Sequence, residues 1–145
     1  MPLALIGKNM KPVIQEEISG CGIAASAALA GMSYAEAKSR ANALGIYAAD
    51  PTLWSETAHV RKLLQAFGLL AAPEETPFES WERMPDKALM AIKWRVEKGR
   101  AFWHWVVFLR EEGEATVLDS KKGLRSNVRR DFWRMKPKWY IEIFN

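Results

Sequence analysis

Apolar positions change their spacing half-way along this chain. From Cys21 to Ala30 the sequence reads Cys-Gly-Ile-Ala-Ala-Ser-Ala-Ala-Leu-Ala. Small apolar residues on every face predict a fully buried helix, closed by Gly31. Ser33-Tyr34-Ala35-Glu36 is a capping box, so a second helix is expected after Ser33, running to about Leu44 and stopping at Gly45. Val60, Leu63, Leu64 and Phe67 share one face of a third helix, capped by Ser55 and ended by Gly68. A loop-like stretch follows over residues 71–85, holding Pro73, Pro77 and Pro85. After it the period shortens. Residues 88–95 and 102–109 read as strands, with shorter ones at 116–118 and 139–144. Glu111-Glu112-Gly113-Glu114 is a hairpin turn, and a short helix is expected over 127–135 with Ser126 as its cap. Helices come first and strands second, which predicts an α+β fold with N-terminal helices packed on a C-terminal antiparallel sheet.

The chain has 145 residues, the size of one ordinary domain, and no internal repeat. Folding should bury roughly 70% of the surface exposed by the unfolded chain, so no metal or disulfide is needed to hold it. Cys21 is the single cysteine, which excludes a disulfide framework and a zinc site with several Cys ligands. With two His besides, neither at helical i,i+4 spacing to a partner, no metal and no cofactor are expected. No apolar run approaches the ~20 residues of a membrane helix. Met1 to Lys8 lacks a basic start followed by a long apolar stretch, so no signal peptide is expected. These features together point to a reducing, cytoplasmic setting.

Net charge is +4 and unevenly spread. Between Lys121 and Lys138 stand eight basic residues against one acid, Asp131. A solvated surface is the plain reading. An anionic partner (an acidic peptide, a nucleic acid or a membrane surface) is the sharper one. No Cys/His finger, phosphate loop or RNA-binding sheet signature is present, which argues against nucleic acid.

Cys21 would ordinarily be one more small apolar residue of a buried helix. Its place in the first helical turn, after Ser19-Gly20, changes that. Unpaired backbone N–H groups and the helix dipole favour a thiolate there, and the same N–H groups can receive an oxyanion. A nucleophilic thiol needs a base. His59 falls inside the third helix, on its solvated or half-buried side. His104 stands in Phe102-Trp103-His104-Trp105, where tryptophans can shield the ring from water. A two-residue turn at Glu112-Gly113 pairs Glu111 with Glu114 and sets His104 opposite Lys121. Asp119 then lies on the His104 face, one diagonal step away at about 7–8 Å between Cα atoms. A three-residue loop would put it on the other face. Gln15, six residues before Cys21, offers a side-chain amide as a second oxyanion donor. Trp54, Trp103 and Trp105 are either core residues or the walls of a cleft.

The order Gln15-x5-Cys21-Gly22, then His104, then Asp119, resembles the C39 peptidases, papain-like cysteine peptidases known from the N-terminal domains of bacterial bacteriocin exporters. The likeness runs from about Lys11 to Phe144 and includes a Gly-containing loop at Gly123, then Phe132 and Trp139 (or Trp133). It implies one papain-like, C39-type α+β domain over residues 1–145. In it Cys21 is the nucleophile, His104 the general base, Asp119 the orienting group and Gln15 the oxyanion donor. The implied partner is a peptide or protein substrate. Gly20 stands where many members have Asp, and Ser120 where Pro is usual. No transporter follows within the sequence, so a free-standing domain is expected and leader-peptide cleavage is not carried over. Two alternatives stay open: a catalytically silent peptide-binding module of the same fold, and a binder of anionic partners through residues 121–138.

Overall fold

The computed structural model describes residues 10–145; the segment Met1 to Lys8, read above for a signal, lies outside them. Among the described residues three α-helices precede six strands: α1 Cys21–Ala30, α2 Tyr34–Ala43, a 3₁₀ turn Pro51–Ser55, α3 Ala58–Ala66, then β1 Thr76–Pro77, β2 Lys87–Glu97, β3 Arg100–Glu111, β4 Glu114–Leu118, β5 Val128–Arg129, a 3₁₀ turn Phe132–Arg134, and β6 Pro137–Glu142. The strands form one open antiparallel sheet in the order β1-β6-β2-β3-β4-β5. The α+β architecture, helices first and sheet second, is as the pattern predicts. No helix among the described residues is long and apolar enough to cross a membrane.

α1 is the central helix. Nine of its ten residues are buried, as its all-apolar sequence requires. Cys21, Ala25, Ala28 and Leu29 meet Leu89, Ala91, Trp105, Val107 and Ile141 of the sheet. Ile23, Ala24 and Ala27 pack into a second cluster with Tyr34, Ala37 and Ala41 of α2 and Leu63 of α3. The other sheet face carries Met90, Ile92, Val106 and Phe108 under Met84 and Met135, with Trp81 and Phe132 against them. The sheet is therefore covered on both faces, which explains why β3 reads as a nearly continuous apolar run.

The caps fall where the chemistry puts them, with two corrections. Ser33 Oγ accepts the Glu36 N–H at 3.1 Å, closing the first turn of α2. Ser55 does not cap α3. Asp50 and Pro51 start a 3₁₀ turn that consumes Ser55, and Thr57 takes the N-cap position. The helix expected over 127–135 does not form. Val128–Arg129 pairs with β4, and Ser126 Oγ closes a local loop on Val128 instead of capping a helix. The last strand is Pro137–Glu142, two residues earlier than its pattern suggested, because Lys87 to Ile92 fix its register.

The β3–β4 turn sets the geometry of everything that follows. Glu111 pairs with Glu114, and both intervening residues have positive φ (Glu112 53°, Gly113 81°). That is the two-residue hairpin turn whose twist matches flanking strands.

Candidate functional site

β4 leaves β3 after Leu118, which pairs with Val107. The next ladder position would set Ser120 opposite Trp105, but Ser120 turns away. Its carbonyl accepts the Gln15 backbone N–H at 2.9 Å, and its hydroxyl donates to Gln15 Oε1 at 2.7 Å. The ladder position so left is taken by the N-terminus of α1. The Trp105 N–H donates to Cys21 Sγ at 3.5 Å. The site thus lies where two strands part and a helix end enters between them.

His104 Nε2 and Asp119 Oδ1 are 2.7 Å apart. The same-face placement expected from the hairpin register is realised. Asp119 is 1% exposed, and its charge is held by several donors. The Lys121 N–H reaches Oδ1 at 3.0 Å, and Arg129 Nη1 reaches Oδ2 at 2.8 Å. Burial alone would raise the Asp119 pKa; His104, the Lys121 N–H and Arg129 overcome it and hold the carboxyl well below the usual carboxylate range. For His104, burial opposes protonation. The hydrogen bonds and charges of Asp119 and Cys21 together outweigh it, and the pKa is raised to about 9.

Cys21 is 1% exposed. Gly20, at the N-cap of α1, supplies no side-chain cap, and the first turn carries no acid. Gly20 has a steric cause: a Cβ there would lie 2.2 Å from Tyr34 Oη. Gln15 is buried beside this end. Its Nε2 donates to the carbonyls of Glu17 (3.0 Å) and Ile18 (2.8 Å). The structure therefore joins His104 directly to Asp119, sets Cys21 against the backbone of the residue after His104, and turns the Gln15 amide onto the loop before α1.

A cleft of about 410 Å³ opens over His104 and Asp119. Ile18, Trp54 and Trp103 form its apolar wall; Trp105 is fully buried instead. Cys21 does not line it.

His59 is not on a solvated face. It is 3% exposed, its Nδ1 lies 2.6 Å from Glu56 Oε1, and burial lowers its pKa against the opposing pull of Glu56. Gly22 makes the room: a Cβ there would sit 2.4 Å from His59 Nε2.

Sequence reasoning missed Arg129. It stands among eight basic residues whose pattern reads as one surface, yet its side chain is 10% exposed and bridges Asp119 and Asp131, the latter through two bonds of 2.8 and 2.9 Å. The local Arg129-x-Asp131 spacing is the one signal that could have marked it. Lys93 was missed as well. It lies in the irregular part of β2 between Ile92 and Arg95, with a left-handed φ of 53°.

No family model matches the chain, and no curated protein matches it.

Proposed function

We propose that the protein is a cysteine peptidase of the papain-like, C39 type, acting by acyl transfer through Cys21. The observation that carries this reading is the His104–Asp119 hydrogen bond of 2.7 Å, on a ring whose charged form is also favoured by Cys21. An imidazole oriented by a buried carboxylate is the kind of base that can activate a sulfur nucleophile.

In this mechanism Asp119 orients the ring and His104 takes the Cys21 proton. The thiolate attacks a peptide carbonyl and forms a tetrahedral intermediate. Its oxyanion is received by the backbone N–H of Cys21 at the uncapped helix end. Gln15 is the second donor, exchanging one loop carbonyl for the oxyanion. His104 then gives its proton to the leaving amine, and water hydrolyses the thioester.

The test is the alkylation rate of Cys21 against pH, in wild type and in His104→Ala. The chain has one cysteine, so the readout is unambiguous. Reactivity persisting well below pH 8 and lost in the variant supports the pair. A rate that rises near ~8.5, as for an ordinary thiol, in both proteins refutes it. A second reading is favoured by one observation, the 1% exposure of Cys21. It is a silent module that binds peptide in the cleft, and Cys21→Ala would then retain the whole function.

A further inference from the structure

The charges around the cleft are not balanced. Its lining carries Lys93 and Arg95 from β2 and Lys121 and Lys122 from the segment after β4. Arg95 is paired with Glu97 at 3.0 Å. Among the described residues, Lys93, Lys121 and Lys122 make no ion pair. The acids that share the cleft are committed elsewhere: Glu17 to Tyr34 (2.6 Å) and Lys38, Asp119 to His104 and Arg129. Glu16 alone is exposed without such a pairing.

The cations also crowd one another. Burial, then the charges of Arg129 and Lys121, lowers the pKa of Lys93. Like charges held together beside an apolar wall are relieved by a bound anion. The backbone fixes this arrangement. The Lys93 N–H donates to both Met135 O (3.2 Å) and Lys136 O (3.0 Å), holding Lys93 in its left-handed conformation, and left-handed non-glycine residues concentrate at functional sites.

We infer that the cleft receives a peptide with a carboxylate side chain, which Lys93 and Lys121 bind while a neighbouring apolar residue lies against Trp54 and Trp103. This rests on the reading of the cleft as a peptide site. A peptide fits better than a nucleic acid for two reasons. The cleft volume of about 410 Å³ suits a few side chains. Exposed Glu16 shares the cleft, and it would repel a regularly charged phosphate backbone while tolerating one placed carboxylate.

The experiment is a titration of Cys21→Ala protein, followed by tryptophan fluorescence, with two short capped peptides that differ only by Asp or Asn beside a Phe. Because Cys21 is absent, binding is read independently of cleavage. The Asp peptide should bind about two- to tenfold tighter, as expected for ion pairs to two exposed lysines. Lys93→Gln with Lys121→Gln should erase the difference and leave the Asn peptide unchanged. Both side chains are exposed, so the fold does not depend on them. Equal affinities, no binding of either peptide, an unaltered preference in the double variant, or tighter binding of a single-stranded oligonucleotide would each overturn the inference. A preference for Asp without any cleavage by wild type would defeat the peptidase reading and leave this one standing.

Discussion

Arg129→Met removes the guanidinium that ties Asp119 and Asp131 together. The two arms differ in environment. The Asp131 carboxylate is 31% exposed, so its pairing is worth at most about 1 kcal/mol. Asp119 is 2% exposed at its side chain, and stripping one partner from a buried ion costs about 3–5 kcal/mol. That figure is lowered because Asp119 keeps His104 and the Lys121 N–H. The net expected loss is about 2–4 kcal/mol. With a urea slope of about 2 kcal/mol/M for a chain of this size, the unfolding midpoint should fall by about 1–2 M with the slope unchanged. The pH dependence follows from the sign of the shift. Asp119 is held low, so its contribution is complete above the unfolded carboxylate range, about 3.9, and is lost only as pH falls below it. The gap between the two proteins should be constant from pH 7 to 5 and shrink in more acid solution. A midpoint change below about 0.3 M at pH 7 would show that Arg129 is only a surface charge. A gap that closes between pH 7 and 5 would show that another group carries it.

His104 gives the opposite pH signature. Its pKa is raised from 6.5 to about 9, so its contribution is complete below about pH 6.5 and disappears as pH rises through about 9. A shift of this size corresponds to about 3 kcal/mol. The stability advantage of wild type over His104→Gln, from urea midpoints at pH 6 and pH 9.5, should fall by most of that amount; an equal advantage at both pH values would contradict it. Gly20→Asp installs the residue many C39 members carry, with its Cβ 2.2 Å from Tyr34 Oη. Overpacking of this kind costs about 1–3 kcal/mol, or about 3–9 °C in Tm. Tyr34→Phe in the same chain should recover part of the loss, and a Gly20→Asp protein as stable as wild type would show that Tyr34 moves aside freely.

Local rules made the helices and the hairpin legible. Ser33 and Glu36 announce α2, and a two-residue turn at Glu112-Gly113, one of two turn lengths the sequence allows, sets the register that carries Asp119 to His104. Tertiary partners decided the rest. Residues 127–129 look helical in isolation, but Asn127 Nδ2 donates to the carbonyls of Asp119 and Lys121, and Arg129 turns inward to Asp119. Hydrogen bonds back to the Asp119–Lys121 turn, two to its backbone carbonyls and one to the Asp119 carboxylate, outweighed a weak helical pattern. The environment of His59 was hidden for a similar reason, since its cavity exists only because a residue on another helix, Gly22, has no side chain. Lys93 gave no warning, because the bulge that exposes it comes from backbone bonds to residues more than forty positions away.

The placement of Gln15 against Ser120 has a consequence for fragments. Cutting the exposed loop between Glu74 and Glu75 divides the chain into a piece with Gln15, Cys21 and helices α1 to α3 and a piece with strands β1 to β6, His104 and Asp119. Neither half holds the full set of groups. The Gln15–Ser120 bonds and the Trp105–Cys21 contact would have to form between separate molecules. The loop is thus a natural point at which to split the protein into two parts that rebuild the shared site only on reassociation, at a rate set by their concentrations.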